Sequence, residues 1–247
     1  MINQNYDKLL QLNLDRMAEL YLEHSGKKEY DDLPFDERLS IMIDEQFLFN
    51  KSRSIENLKR KATVKLNEAR VSDILFLPER DIDRNLIYKL SQCNYIKDKL
   101  NVIITGATGA GKTYMACALI NAAIDKEIRC KYIRMPDLLY ELSSCKDNLK
   151  TYKRKIGNLG RYDLLVIDDF LITELNGSQQ SDLFELLELR SEAHSTILSS
   201  QFSSSSWHER LGSGAIADAI MDRMIHNSYI INIKGATSMR EVTSKTK

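Results

Sequence analysis

Charge of neither sign is in excess in this chain. Its 35 Lys and Arg are balanced by 35 Asp and Glu. No whole-protein field therefore draws an acidic partner, and any nucleic-acid affinity must come from local patches. Long apolar runs are also missing. Nothing approaches the ~18 residues needed to cross a bilayer, and the opening MINQNYDKLL lacks the apolar core of a signal peptide. Cysteines are few and scattered (Cys93, Cys117, Cys130, Cys145), as are His24, His194, His208 and His226. Neither set has metal-ligand spacing, so the thiols read as reduced and mostly buried, with no disulfide framework and no Cys/His metal site. The expectation is a cytoplasmic protein without membrane contact. No internal repeat is visible.

What is present suits a globular protein. At 247 residues with 43% hydrophobic and 28% charged side chains, the chain can hold one substantial domain and a smaller one. Up to about residue 70 the pattern is helical. Leu9, Leu10, Leu12, Met17, Leu20 and Tyr21 roughly follow a 3.6-residue period, as do Leu39, Met42, Ile43, Phe47 and Leu48. Pro34 is a natural start for the second helix. Lys51 to Arg70 holds seven basic residues against Glu56 and Glu68, and predicts a polar helix. A further amphipathic helix is expected over 81–99, with Ile82, Leu86, Ile87, Leu90, Cys93 and Ile96 facing inward. Beyond it, short apolar runs at 102–105, 130–135, 164–167, 196–199 and 229–233 alternate with helical segments at 113–125, 137–143, 179–193 and 216–226. Strands separated by helices predict a parallel sheet with right-handed crossovers. The expected division is a helical domain over 1–74 and a three-layer α/β domain over 75–247.

The strand Asn101 to Thr105 runs into Gly106-Ala107-Thr108-Gly109-Ala110-Gly111-Lys112-Thr113 and then into an apolar helix. This is the G-x-x-x-x-G-K-[ST] pattern in the strand–loop–helix setting it needs. A chance match in a chain this long is on the order of one in a hundred. The glycines let consecutive N–H groups converge on phosphate oxygens at a helix N-terminus. Lys112 is placed to reach the β- and γ-phosphates and Thr113 to ligate Mg²⁺, with Tyr114 closing the ATP-binding set. Downstream, Leu164 to Ile167 is a buried-strand run ending in Asp168 and Asp169, where ligands gather in an open parallel sheet. Asp168 fits the metal-side carboxylate and Asp169 the group that polarises water. Many ATPases carry Glu at the second position. Asp is shorter by roughly 1.5 Å, and ~1 Å of misplacement can cost about a hundredfold, so slow hydrolysis is expected. Ser199 or Ser200, ending the next strand, could orient a water; a polar strand end leading into a serine loop is the alternative. Trp207 is expected to open a helix for packing. Arg223 and Arg240, taken singly, read as surface arginines.

Taken in order, GATGAGKT, LLVIDD, TILSSQ, AIADAIMDRMIHN and KGATSMR, behind a helical region containing LPFDERLSIMIDEQ, resemble the IstB helper ATPases of insertion sequences. That family is similar to DnaC-type helicase loaders and to the initiator clade of AAA+ ATPases. The resemblance implies a P-loop AAA+ sheet in the order 5-1-4-3-2 with helices on both faces. It implies assembly with ATP on duplex DNA and stimulation of a partner transposase. It assigns Lys112 and Thr113 to phosphate and metal, Asp168 and Asp169 to the acidic pair, and Ser199 or Ser200 to the first sensor. Arg240 becomes the second sensor and Arg223 an arginine offered in trans within a homo-oligomer. Thr237 departs from the acidic residue common in the family near the second sensor. With seven residues after Arg240, no separate lid domain is expected.

For DNA, Lys146, Lys150, Lys153, Arg154, Lys155 and Arg161 form a basic segment with a single acid, Asp147. Lys59, Arg60 and Lys61 are a second candidate. Without a base-reading motif, phosphate contacts and little sequence preference are expected; a solvated helix face is the competing reading. Three other functions share the loop: a helicase loader of the DnaC type, a small-molecule kinase, and a nucleotide-gated scaffold without hydrolysis.

Overall fold

The computed structural model describes residues 2–30, 32–235, 238 and 239. They form two compact units, Met1–Asn57 and Leu58–Lys247. The smaller is helical: α1 (Ile2–Gln11), α2 (Asp15–Gly26) and the first part of α3 (Phe35–Ala62). The period read over Leu9 to Tyr21 is therefore split between two helices. Asn13 takes a left-handed φ of 59° and leaves Leu12 67% exposed at the turn. Within this unit Gln46 Oε1 accepts from the Met17 N–H at 2.9 Å, and Arg16 bridges to Glu45 at 3.3 Å, tying α2 to α3.

The polar helix expected over 51–70 stops at Ala62, where Thr63 adopts φ 53°. Residues 63–70 leave the helix because their backbone finds other partners. The Asn121 amide donates to the carbonyls of Leu66, Asn67 and Ala69 at 3.0, 3.1 and 3.0 Å, and Val64 and Ala69 are buried. This segment belongs to the larger unit. The helix expected over 81–99 is also two pieces, α4 (Arg84–Ser91) and α5 (Asn94–Lys97). Asp83 caps α4 by accepting from the Asn85 and Leu86 N–H groups, and Cys93, at φ 63°, breaks the run. The inward pattern nevertheless holds at Ile87, Leu90, Cys93 and Ile96, all buried, while Ile82 and Leu86 are half-buried.

The α/β alternation continues as β1 (Asn101–Gly106), α6 (Lys112–Ile124), β2 (Cys130–Arg134), α7 (Met135–Ser143), α8 (Leu149–Gly160), β3 (Leu164–Asp168), α9 (Gly177–Arg190), β4 (Ser195–Ser200), α10 (Trp207–Arg210), α11 (Gly214–Ile225) and β5 (Ser228–Ile233). The five strands order as β2-β3-β4-β1-β5, every pairing parallel. This is the order 5-1-4-3-2 expected of an AAA+ sheet. Both faces are covered, so the strands read as continuous apolar runs. On one face Ile103, Leu165, Ile167 and Leu198 join side chains of α7, α8, α9 and α11 around Phe170 and Trp207. Trp207, expected to pack, is fully buried and donates Nε1–H to the Phe202 carbonyl at 3.1 Å. The other face packs on α6, whose residues Met115 to Asn121 are all buried.

Two helix starts show why the chain turns where it does. Asn176 and Gln179 form a reciprocal capping box at α9. Asn148 accepts from the Thr151 N–H at α8. Helix α6 has no such cap, and its open N-terminus faces the site.

Candidate nucleotide site

The phosphate loop is the turn between β1 and α6. At Gly109 φ is 82° and at Gly111 it is 90°, both left-handed. A Cβ on Gly109 would lie 2.6 Å from Ser238 Oγ, and one on Gly111 would lie 2.9 Å from Arg80 Nη2. The left-handed backbone therefore demands glycine at both positions, while the crowding falls on side-chain ends that can shift. The first N–H groups of α6 have no side-chain cap, which leaves them to an anion. Lys112 Nζ lies 2.9 Å from the Ala107 carbonyl, folded over the loop.

The acidic pair arrives from β3 and its two carboxylates are held differently. Asp168 is 1% exposed. Its Oδ2 accepts from Thr113 Oγ1 at 2.8 Å and from the Tyr132 hydroxyl at 2.6 Å. Burial and this bond push the Tyr132 hydroxyl's pKa well up, so it stays a donor. Asp168 Oδ1 is buried without a hydrogen-bond partner. An unsatisfied buried carboxylate oxygen beside a threonine hydroxyl suits a hard, oxygen-seeking cation. Asp169 stands at φ 53°, and its Oδ2 is 2.8 Å from Arg134 Nε, at the end of β2. The carboxylate in turn raises the Arg134 pKa.

Of these groups Gly109, Gly111, Lys112, Thr113 and Asp169 line a cavity of about 750 Å³. Thr108, Lys112, Thr113, Asp169 and Gln201 form its polar end. Leu66, Ile74, Leu75, Tyr114 and Met239 form an apolar wall large enough for a purine. Tyr114 is fixed there by the Arg70 N–H, which donates to its hydroxyl at 3.4 Å.

A phosphate-ready loop, an uncapped helix and a carboxylate with a free oxygen make a nucleotide site, and the comparisons name its kind. The family described as IstB-like ATP binding protein matches residues 7–247. The chain belongs to that family. A protein of Sinorhizobium fredii named as an insertion sequence ATP-binding protein is 32% identical over 240 residues, 97% of each chain. The IS21 ATP-binding protein of Pseudomonas aeruginosa is 30% identical, over 90% of this chain and 82% of its own. Among solved structures, DnaI matches with TM-score 0.58 and 20% identity, over 69% of this chain and 93% of that one. The DnaC helicase loader matches with TM-score 0.56 and 19% identity, over 69% and 99%. AMPPCP-bound DnaA from Aquifex aeolicus matches with TM-score 0.54 and 17% identity, over 70% and 52%. The fold is AAA+, and this IstB-like protein is an ATPase.

Within the IstB-like site, the strand register separates the two serines. Leu198 faces the large core with Ile167, so Ser200 points to that side and Ser199 to the α6 side. Ser200 Oγ donates to the Phe170 carbonyl at 2.8 Å. Ser199 Oγ is buried without a partner. Neither lines the cavity; the next residue, Gln201, does, accepting from Thr108 Oγ1 at 3.0 Å. Arg223 lies along its own subunit, ion-paired to Glu188, donating to the Ala219 carbonyl at 2.9 Å and 5.0 Å from the Phe184 ring centroid. Arg240 lies outside the described residues.

The basic segment is helical over α8 and divides in two. Lys146 is paired at 2.7 Å with the buried Asp182, and Lys155 at 2.5 Å with Glu141. Lys150, Lys153, Arg154 and Arg161 are exposed. At the end of α3, Lys59 pairs with Asp125 at 3.3 Å, while Arg60 and Lys61 are exposed.

Proposed function

We propose that this protein is an ATP-dependent, DNA-binding helper that assembles on duplex DNA and stimulates a partner transposase. The observation that carries it is the phosphate-ready loop facing Asp168 in a chain whose relatives are named as insertion sequence ATP-binding proteins. The helicase-loader alternative has support only from likeness of fold. The protein acts in the cytoplasm, and among the described residues no helix is long and apolar enough to cross a membrane.

In this reading the loop amides and Lys112 bind the phosphates, and the apolar wall takes the base. Thr113 and Asp168 would hold Mg²⁺, which supplies charge neutralisation on the phosphates. The Thr113 hydroxyl and the unpartnered Asp168 Oδ1 would be the oxygens offered to the ion, with Tyr132 holding the carboxylate through Oδ2. Asp169 polarises the attacking water and Gln201 orients it beside the loop. Replacing Tyr132 by Phe should weaken Mg²⁺-dependent ATP binding about tenfold, as loss of a ligand's supporting bond does. ATP binding in EDTA should be unchanged by calorimetry; an equal loss there would mean that Tyr132 only supports the fold.

Lys150, Lys153, Arg154 and Arg161 grip DNA phosphates without reading bases. With four phosphates engaged per subunit, log K should fall against log salt with a slope of about −3.6. That is shallower than the slope of about −5.4 that all six cations of the segment would give, because Lys146 and Lys155 already hold carboxylates. The deciding experiment measures binding to random-sequence duplex at fixed salt with ATP, with ADP and without nucleotide. Large complexes only with ATP support the helper reading. No binding in any state overturns it and turns the assignment toward a protein-directed switch.

A further inference from the structure

The cavity holds a buried cation that the phosphate-loop motif does not contain. Arg80 ends the short turn Pro78–Arg80 ahead of α4 and is 6% exposed. Its Nη2 donates to the Ala110 carbonyl at 2.7 Å and its Nη1 to the Leu75 carbonyl. Nε is buried without a hydrogen-bond partner. Among the described residues no carboxylate pairs with it, and the adjacent Glu79 is exposed. Burial accordingly pulls the guanidinium's pKa down. A buried, unpaired charge is costly, so its place beside an anion site calls for an explanation.

Two consequences follow from the geometry. A trans peptide sets its C=O and the following N–H on opposite sides. By holding the Ala110 carbonyl toward its guanidinium, Arg80 turns the Gly111 N–H the opposite way and fixes the curve of the loop. The second consequence is electrostatic. The guanidinium lines the cavity with Lys112 and Thr113, and in a poorly solvated setting its attraction for a phosphate chain is stronger than in water.

We propose that Arg80 is a positioning and charge-compensating residue of the nucleotide site: it fixes the curve of the phosphate loop and supplies a positive charge that the phosphate chain neutralises on binding. This rests on the cavity being the ATP site. It concerns ATP and ADP alike, since the contact lies at the loop and not at the terminal phosphate.

The test titrates the full-length wild type, R80Q and R80K by calorimetry in EDTA, with ATP and with inorganic tripolyphosphate. R80Q keeps a donor and loses the charge. It should bind both ligands ~10–100-fold more weakly, the range for a hydrogen bond to a charged group, and by the same factor for each. R80K keeps the charge without the fork and should fall between R80Q and wild type. Loss for ATP with tripolyphosphate unchanged would place Arg80 in the base wall through Leu75 and overturn the proposal, as would R80K binding no better than R80Q. If R80Q does not fold, R80K decides alone: equal small losses for both ligands support the proposal, and a loss for ATP only rejects it. Wild-type protein that binds neither ligand would instead overturn the assignment of the ATP site.

Discussion

Replacing Arg223 by Ala should lower DNA-stimulated ATP turnover by ~10³-fold or more, the scale of an arginine that stabilises transition-state charge, and leave ATP affinity nearly unchanged. Within one subunit the side chain is occupied. It pairs with Glu188 across the α9–α11 contact and donates to the Ala219 carbonyl of its own helix. Its side chain is 24% exposed, so the Glu188 pair is partly solvated and its net worth is small. An incoming phosphate chain from a neighbouring subunit carries more charge than one carboxylate and can displace it. Mixing separates this role from packing. Arg223→Ala subunits keep an intact site, and Asp169→Asn subunits keep the arginine. Each alone should be nearly inert. A one-to-one mixture should regain turnover at about a quarter of its head-to-tail interfaces. If Arg223 only clamps α11 to α9, the mixture stays inert, and Arg223→Ala and Glu188→Gln both lower the unfolding temperature without a separate kinetic effect.

The parts of this molecule that were legible in its sequence carry their own local physics. The loop at Gly106–Thr113 needs glycine at left-handed positions and a helix behind it, and both requirements leave marks in the chain. The strand ending in Asp168 and Asp169 is marked by its apolar run. The sheet order came from a family resemblance, since nothing in the strand spacings alone ranks one parallel order above another. The less visible features depend on distant partners. Thr63 ends α3 because Asn121, far along the chain, takes the next carbonyls. Cys93 and Asn13 turn left-handed without a glycine to announce it. Ser199, Ser200 and Gln201 are equally polar on paper. Only the pleat, read against Leu198 in the core, turns Ser200 away, and only the cavity wall brings in Gln201. Tyr132 and Arg80 had no motif to belong to; each matters through one bond made across the fold. Lys146 and Lys155 show the converse, since a run of cations cannot reveal which of them already face carboxylates.

Replacing Asp169 by Asn should reduce turnover by ~10²–10⁴-fold, the range for loss of a positioned general base, and preserve ATP-dependent assembly on DNA. Asn keeps the size of the side chain and an oxygen for Arg134, but neither its charge nor its basicity. The wild-type rate should itself be low, for two reasons visible in the site. The aspartate reaches roughly 1.5 Å less far than a glutamate, and its carboxylate is engaged by Arg134 at 2.8 Å. Single-turnover hydrolysis in the DNA-bound assembly measures the effect without interference from product release. A thousandfold fall in Asp169→Asn, with binding intact, makes hydrolysis a real event that resets the assembly. Unchanged turnover would mean that Asp169 takes no part in the chemistry and would favour a nucleotide-gated scaffold. Asp169→Glu completes the argument. If reach alone limits the rate, the longer acid should raise it by as much as about a hundredfold. If the hold of Arg134 limits it, the glutamate stays paired and the rate stays low.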